Sequence, residues 1–443
     1  MRRPGRIVAD RGLTGLARLA LRGFYRRIEV TGREHLAEDR PVLVVANHFN
    51  ALLDPVLVMY ALRELPRFVA KAALWRPTWA RPLLWLAGMV PVHRPQDGAD
   101  TSGNQGVFRS CAEQLSRGTT VALFPEGGVS PIPALQPLRT GAARIALSAR
   151  SAGAAGLVIL PIGLTYEDKV ALRSRALVRI GPALDIDAHL TAVGHADADD
   201  TDTEVVRALT DEIQDRLSAL SPIYSDEVGA AMLGRAADVA LRRPDARPTE
   251  EVALAEREAV ARRLAEAPAP TRAEVVDTLA RYELRRSLAG LRDTEVVSER
   301  TPRDLAGTFF ATLVRLVLLA PFALTGAVIN ALPYWGVHWG GRFVRNPTLR
   351  ASARLLSGVV LFPATWILVA WLLPWDTWWA RTLAIVVAPI LGLVAVRALE
   401  TVIATARAWH GWITRIERSD RLEQLRHERA TLVDTVQRAA ASG

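Results

Sequence analysis

The sequence predicts an α/β fold with a mostly parallel sheet flanked by helices, followed by a helical extension and a C-terminal transmembrane helical hairpin. Between residues 40 and 185, short runs rich in Val, Ile and Leu alternate with helical stretches, as in sheets covered on both faces. From 186 to 304 Ala, Arg, Glu and Asp dominate and strand-like runs vanish. Beyond 304 come long apolar stretches and most of the 12 tryptophans, a composition typical of a membrane region.

The secondary-structure elements follow from hydrophobic periodicity. Residues 12–27 predict an amphipathic helix with arginines on one face, which would either lie in a bilayer interface or pack on its own domain. The predicted strands are Val42–Ala46, Arg67–Ala70, Met89–Val92, Thr120–Phe124, Leu157–Leu164 and Ala176–Ile180, and helices are expected at 52–64, 75–87, 106–117, 140–152, Thr203–Leu217 and Pro248–Ala265.

We expect five segments along the chain. They are a basic interface helix (1–34), a catalytic-type α/β domain (35–222), a helical extension (223–304), a membrane region (305–398) and a charged helical tail (399–443), which should be solvated.

Three apolar stretches form the membrane region: Phe309–Leu332, Leu355–Leu373 and Leu383–Val396. Basic residues flank the second and third, while the turn Pro374-Trp375-Asp376 between them is not basic. Because positive charge is retained in the cytoplasm, these two stretches predict a hairpin with its turn outside. A third full crossing would put the arginines at 342–354 outside, so we expect Phe309–Leu332 to be re-entrant or interfacial.

Charge and cysteine content restrict the partners. The net charge is +9. Residues 1–33 hold nine arginines and two acidic residues, which favours anionic lipid headgroups. No zinc spacing, helix-turn-helix pattern or basic-aromatic array is visible, so we expect membrane lipids rather than nucleic acid as partners. Cys111 is the one cysteine, which fits a reducing compartment; it should be buried filler rather than a nucleophile. Without a secretory signal, the first 220 residues should stay cytoplasmic.

The first motif with chemical meaning is Asn47-His48-Phe-Asn-Ala-Leu-Leu-Asp54-Pro, directly after the first predicted strand. Imidazole is the best base near neutral pH for an alcohol proton, and a carboxylate can fix its tautomer. Six positions along a regular helix leave His48 and Asp54 roughly 120° apart, so pairing requires His48 on a turn before the helix.

Three further motifs follow strands. Gly88-x-x-Pro-Val-His93-Arg94 ends in an arginine that could grip a phosphate or simply be solvated. Phe124-Pro-Glu126-Gly127-Gly128-Val-Ser130 combines a carboxylate with glycines that let backbone amides approach an anion, and Arg139 follows at a helix start. Leu160-Pro-Ile-Gly163 is expected to shape a wall.

These four blocks, in this order, resemble the phospholipid/glycerol acyltransferase family, which includes glycerol-3-phosphate and 1-acylglycerol-3-phosphate acyltransferases. The resemblance covers residues 35–185. Its first block has five residues between His48 and Asp54 instead of the usual four, which is similar to a branch of glycerol-3-phosphate acyltransferases that also shows stretches like Pro137–Arg144 and Tyr166-x-x-Lys169-x-x-x-Arg173-Ser-Arg175.

The resemblance implies roles for single residues. His48 would be the general base and Asp54 its orienting partner, and the residues expected to contact the acceptor are Asn47, Lys71, Arg94, Glu126, Gly127, Gly128, Ser130 and Arg139. The family often has Thr-Arg after Glu-Gly, whereas this chain has Gly128-Val129, so Arg139 or Lys71 would have to replace that arginine.

The implied activity is transfer of a fatty acyl group from acyl-CoA or acyl-carrier protein to a glycerol phosphate, at a bacterial-type inner membrane with the catalytic domain cytoplasmic. No cofactor or metal is expected. Another lysophospholipid or a glycolipid as acceptor is a second hypothesis. A catalytically weak membrane scaffold of the same fold is a third, of a different class.

Overall fold

The computed structural model describes residues 4–36, 39–76, 78, 81, 84–85, 88–92, 104–245, 250–297, 302–344, 347–372, 374, 377–417 and 419–442. The chain divides into two compact units. The first is Met1–Ser225 with Asn346–Ser352, and the second is Asp226–Arg345 with Ala353–Gly443.

The first unit is built on an eight-stranded sheet. Its strands are β1 Tyr25–Thr31, β2 Val42–Ala46, β3 Arg67–Lys71, β4 Val90–Val92, β5 Val121–Leu123, β6 Val158–Tyr166, β7 Ser174–Ile180 and β8 Leu184–Asp185. The order across the sheet is β1-β7-β6-β2-β5-β3-β4, with β8 beside β6. β7 and β8 run antiparallel to β6 and the remaining neighbours are parallel. The predicted mostly parallel sheet is confirmed.

Helices cover both faces of this sheet. They are α1 Pro4–Phe24, α2 Leu53–Leu62, α3 Asn104–Ser116, α4 Gly141–Ser151, α5 Ile186–Ala192 and α6 Thr203–Leu220. One core joins Leu43, Val45 and Val121 to α3, α4 and α6. Since strand side chains alternate between faces, Val44 is buried on the other side, where α1 and α2 pack on each other. Burial on both faces explains why the strands are continuous apolar runs.

The N-terminal segment differs from the prediction. The helix ends at Phe24 instead of residue 27, and Tyr25–Thr31 forms an edge strand that pairs with β7. The helix packs on its own domain through the buried Leu21 and Phe24, while Leu16 stays exposed. Periodicity did not predict this edge strand with its arginines, because only Tyr25 among its seven residues is fully buried.

The second unit contains the extension and the apolar helices. Its helices are α7 Glu227–Leu241, α8 Leu254–Glu266, α9 Ala269–Leu288, α10 Asp293–Val297, α11 Pro302–Gly340, α12 Pro347–Leu372 (from Ala353 onward), α13 Trp378–Glu417 and α14 Ser419–Ser442. The helix expected from Pro248 begins at Leu254, and 246–249 lie outside the described residues. Most of the helix expected at 75–87 also lies outside them.

The last helix, α14, is not the solvated tail that its charge predicted. Leu425, Leu432 and Val436 recur at helical spacing and are buried against α7, α8 and α9. Arg429 donates through Nε to Asp293 at 2.9 Å and through Nη2 to the Val239 carbonyl at 2.6 Å. A helix that is polar on most faces can still be anchored by one apolar stripe.

Three helices in the described residues are long and apolar enough to cross a membrane: Phe309–Phe343, Leu349–Leu372 and Trp378–Gly411. The first apolar stretch is one uninterrupted helix with Pro321 and Pro333 inside it. Its re-entrant or interfacial placement stays a prediction.

The apolar helices α11 and α13 form a close antiparallel pair. A Cβ on Gly326 would overlap the carbonyl group of Leu391, and the rings of Phe309 and Trp409 are 5.5 Å apart. About one turn beyond Gly326, Asn330 donates to the Ala388 carbonyl at 3.4 Å. Glycines let two helices approach this closely, as is common in membranes.

Helix α12 begins beside the end of α11 and contacts the start of α13 through its last turn. A Cβ on Gly341, just beyond the end of α11, would overlap the side chain of Arg354 near the start of α12. At the other end of α12, the guanidinium of Arg381 in the first turn of α13 lies 4.5 Å from the ring centroid of Trp371. Because α11 and α13 are antiparallel, the end of α11 and the start of α13 lie together at one end of the pair.

Candidate active site

The candidate site lies where four parallel strands end. His48 follows β2, Phe124 follows β5, and Lys71 and Tyr166 are the last residues of β3 and β6. In open α/β sheets ligands bind outside the carboxyl ends of the strands, so this edge is the expected place for a site.

His48 and Asp54 form a close pair at this edge. The distance from His48 Nδ1 to Asp54 Oδ2 is 2.8 Å. The same oxygen accepts the backbone N–H groups of Phe49 at 2.6 Å and Asn50 at 2.7 Å. The carboxylate therefore caps a turn and fixes the imidazole at once. As the spacing required, His48 is on a turn and α2 begins only at Leu53.

Exposure separates the two members of the pair. The Asp54 side chain is 0% exposed and that of His48 is 12% exposed. With Nδ1 directed to the buried carboxylate, Nε2 is the ring nitrogen left for a substrate. A neutral imidazole that donates from Nδ1 has a free lone pair on Nε2, which is what a general base needs.

Asn47 and Ser130 hold the turn in place. Asn47 is buried, donates to the Leu164 carbonyl at 2.9 Å and accepts the Leu164 N–H at 2.6 Å. The Ser130 N–H donates to the His48 carbonyl at 2.6 Å, and its hydroxyl donates to carbonyls of its own turn. Both residues were expected to contact the acceptor. In the structure their polar groups position His48, and their contact with an acceptor stays a prediction.

Glu126 connects two loops at the site through hydrogen bonds to their backbone. One carboxylate oxygen accepts the His48 N–H at 2.6 Å and the other accepts the Gln136 N–H at 2.9 Å. Burial is the main cause that raises the pKa of Glu126 to about 7, and the two backbone N–H groups oppose this effect. Glu126 thus links the β2 turn to the loop before α4. Its predicted contact with the acceptor stays a prediction.

Aromatic rings set the orientation of the imidazole. The rings of His48 and Phe124 stack 4.1 Å apart at 12°, and Phe68 stacks on Phe124 at 6.2 Å. The stack blocks one face of the imidazole, so the ring cannot rotate freely away from Asp54. Phe124 belongs to the Phe-Pro-Glu-Gly-Gly motif, but nothing in that motif predicted its contact with the imidazole.

Tyr166 completes the surroundings of Asp54. Its hydroxyl donates to Asp54 Oδ1, the oxygen that does not contact His48. The sequence placed Tyr166 at the end of a strand and within the family resemblance, without a role. A tyrosine at a strand terminus beside a predicted site was the available signal.

Basic side chains lie at the same edge. Arg139 passes over Gly127, whose φ is +75° and whose Cβ, if present, would come within 2.5 Å of Arg139 Nε. A glycine is therefore required there. Gly128 has open space where a Cβ would be, and Lys71 is exposed at the end of β3. Arg94, predicted to grip a phosphate, lies outside the described residues.

A loop after β6 joins the site through Lys169. Its carbonyl accepts the Asn50 side-chain amide at 3.3 Å, and its ammonium donates to the Pro131 carbonyl at 3.4 Å. Arg173, four residues later, donates to the Tyr25 carbonyl at 3.0 Å, and Arg175 forms an ion pair with Glu167 at 2.8 Å. These contacts hold together the loops around His48.

Cys111 is remote from nucleophilic chemistry. It is fully buried in the core between the sheet and α3. Burial raises the pKa of its thiol to about 12, so the thiolate is not populated near neutral pH. Its interpretation as buried filler is confirmed.

In comparisons with known proteins, the family model and the curated relatives that match are acyltransferases. The family model described as Acyltransferase matches residues 27–165. Glycerol-3-phosphate O-acyltransferase 1 of Saccharomyces cerevisiae is 31% identical over 121 residues, which are 27% of this chain and 16% of that protein. The chloroplastic 1-acyl-sn-glycerol-3-phosphate acyltransferase BAT2 of Brassica napus is 28% identical over 158 residues, 35% of this chain and 41% of that protein.

Among solved structures, the 1-acyl-sn-glycerophosphate (LPA) acyltransferase PlsC from Thermotoga maritima shares 20% identity with a TM-score of 0.33, over 47% of this chain and 78% of that one. The chain spans less than half of the length of the two curated relatives. The similarity to acyltransferases is therefore carried by residues 27–165, the part of the chain that matches the family model.

Proposed function

We propose that the first unit transfers a fatty acyl group from acyl-CoA or acyl-carrier protein to a hydroxyl of glycerol-3-phosphate or 1-acylglycerol-3-phosphate. The observation that carries the proposal is the pair of His48 and Asp54 at 2.8 Å, with the carboxylate buried and the imidazole partly open. The name of the yeast relative gives glycerol-3-phosphate as its acceptor, and the name of the Brassica napus relative gives 1-acylglycerol-3-phosphate.

In the proposed mechanism, Nε2 of His48 takes the proton of the acceptor hydroxyl. The hydroxyl oxygen attacks the thioester carbonyl carbon, the C–O bond forms, and the C–S bond breaks. The departing thiolate takes the proton back from the imidazolium. Asp54 stabilises that imidazolium while it exists and keeps the Nδ1–H directed away from the substrate.

Arg139 supports a phosphate-bearing acceptor. The arginine that the family often carries after Glu-Gly is absent from this chain, yet the Arg139 side chain lies directly over Gly127. A guanidinium therefore reaches the same glycine turn from a different position in the sequence. Since guanidinium pairs with phosphate through two parallel hydrogen bonds, Arg139 is the proposed phosphate contact, with Lys71 and Arg94 as further candidates.

A membrane location suits this chemistry, because acylated products partition into lipid. The described residues contain three helices that are long enough to cross a bilayer. The two curated relatives, glycerol-3-phosphate O-acyltransferase 1 and BAT2, are from yeast and a plant, so they give no support to a bacterial-type inner membrane. We retain as a proposal that the chain is attached to a membrane with the first unit on the cytoplasmic face.

The test is an acyl-transfer assay with membranes that contain the full chain. Labelled acyl-CoA is offered with glycerol-3-phosphate, 1-acylglycerol-3-phosphate, another lysophospholipid or a glycolipid in parallel, and acyl-carrier protein serves as a second donor. We expect transfer to one of the first two acceptors. Transfer to only the latter acceptors would replace the proposed substrate while keeping the reaction.

His48→Ala should remove transfer to the background level. The matched control is His195→Ala, because His195 is an exposed histidine in the same unit. Full transfer by His48→Ala would contradict the proposed mechanism and favour a scaffold with incidental activity.

A further inference from the structure

We infer that Tyr166 is a positioning residue that holds the Asp54 carboxylate and, through it, sets the basicity of His48. This inference rests on the proposed function. It arises from how the donors are divided between the two oxygens of Asp54. Oδ2 accepts from His48 and from two backbone N–H groups, while Oδ1 accepts from the Tyr166 hydroxyl.

The donor comes from a separate part of the fold. Tyr166 ends β6, and 112 positions separate it from Asp54. Asn47 ties β6 to the β2 turn through both hydrogen bonds with Leu164, two residues before Tyr166. The hydroxyl is therefore presented to the carboxylate by a rigid strand, whereas the other donors belong to the turn that Asp54 itself caps.

Tyr166 is a donor throughout the range in which an enzyme is assayed. Burial, followed by the nearby charge of Asp54, raises the pKa of Tyr166 well above its ordinary value. The hydroxyl keeps its proton and donates it to Asp54 Oδ1. Its ring stacks on that of the buried Tyr25 with centroids 6.2 Å apart, which limits rotation of the phenol.

A hydrogen bond to Oδ1 has two consequences for His48. It prevents the carboxylate from turning about its Cβ–Cγ bond, so Oδ2 stays in line with Nδ1. It also draws negative charge toward Oδ1, which weakens the pull of Oδ2 on the imidazolium. Without that donor the buried carboxylate would favour protonated His48 more strongly, and a base that is protonated more readily is inactive over a wider acidic range.

The experiment compares Tyr166→Phe with Tyr282→Phe. Tyr282 is the matched control because its hydroxyl donates to Asp293 at 2.7 Å in the helical extension, so this variant loses the same kind of hydrogen bond. We expect kcat of Tyr166→Phe to fall about 10- to 100-fold. The acidic limb of its kcat/KM profile should move up by about half to one pH unit. Tyr282→Phe should keep the wild-type profile.

A double-mutant cycle separates positioning from a merely structural role. If Tyr166 acts through Asp54, adding Tyr166→Phe to Asp54→Asn should cost much less than in the wild type, because neighbours in one network are not additive. Additive losses with an unmoved pH profile would overturn the inference. So would a Tyr166→Phe enzyme with wild-type kcat.

Two further results keep the test decisive. If Tyr166→Phe does not fold, Tyr166→3,5-difluorotyrosine preserves the ring and strengthens the donor, and the acidic limb should then move down; an unmoved limb would overturn the inference. A wild-type chain that transfers no acyl group at all would instead remove the proposed function, which is a separate outcome.

Discussion

Replacing Asp54 by asparagine removes the negative charge of the side chain while keeping its shape. Oδ2 faces three N–H donors, so the amide oxygen must take that position. The amide nitrogen then faces Tyr166, whose hydroxyl can accept as well as donate. The turn and the His48 tautomer should survive, and the difference should be the missing negative charge beside the imidazolium.

The size of the effect follows from the 2.8 Å distance between His48 Nδ1 and Asp54 Oδ2. Two unit charges at that distance attract by about 6 kcal/mol at an effective dielectric constant of roughly 20, an upper limit near 10⁴-fold in rate. A hydrogen bond to a charged group exceeds a neutral one by about 1 kcal/mol, which gives a lower limit of roughly 5-fold. We expect kcat of Asp54→Asn to fall about 10²- to 10⁴-fold, within these limits.

The assay measures initial acyl-transfer rates at saturating acceptor, together with thermal unfolding of the same preparations. Asp211→Asn on α6 is the control, since Asp211 is exposed and remote from the turn. Asp54→Asn should unfold within a few degrees of the wild type. A folded Asp54→Asn enzyme with kcat within about threefold of the wild type would refute electrostatic stabilisation of His48 by this carboxylate.

Three other predictions concern stability and topology. Burial raises the pKa of Glu126 from 4.5 to about 7, so the folded state binds the proton more tightly and the free energy of unfolding should fall by about 3 kcal/mol as pH rises from 4.5 to 7. Glu126→Gln should flatten that part of the curve. Gly163→Ala should lower the free energy of unfolding by about 2 kcal/mol or more, because its Cβ would overlap the Leu220 carbonyl. Single cysteines in Arg342→Cys and Thr377→Cys should be labelled from the same side of the membrane, because the end of α11 and the start of α13 lie together in their antiparallel pair.

Each has its own control. If denaturant titrations of Glu126→Gln show the wild-type dependence of the free energy of unfolding on pH, Glu126 is not the source of that dependence. Gly128→Ala, with nothing within 4 Å of the new Cβ, should change the free energy of unfolding little, and an equal loss in both glycine variants would contradict the overlap argument. The labelling uses a Cys111→Ala background, and labels on opposite sides would favour the hairpin that the charge distribution predicts.

The central strands were predictable because their environment is uniform. β2, β5 and β6 are buried on both faces, so only apolar residues fit and the sequence shows continuous runs. The edge strand β1 and the two-residue β8 carry no such pattern. The last helix was misinterpreted for the related reason that its charged residues outnumber the stripe that is buried.

Some features of the candidate site were likewise predictable from the sequence, and others were not. The sequence alone determined that His48 and Asp54 could meet only if a turn preceded the helix, since the spacing does not fit one helical face. It also determined that Phe-Pro-Glu-Gly-Gly follows a strand and so reaches the same edge of the sheet. Both statements depend on local geometry, which short segments of sequence specify.

Tertiary structure alone decided which groups surround those residues. Tyr166 reaches Asp54, Glu126 reaches the His48 backbone, and Arg139 lies over Gly127, across separations of 112, 78 and 12 positions. Strand order sets these meetings, because β6, β2 and β5 are neighbours in the sheet but not in the chain. Hydrogen bonds act over about 3 Å, and no periodicity in a single sequence encodes which distant strands lie side by side.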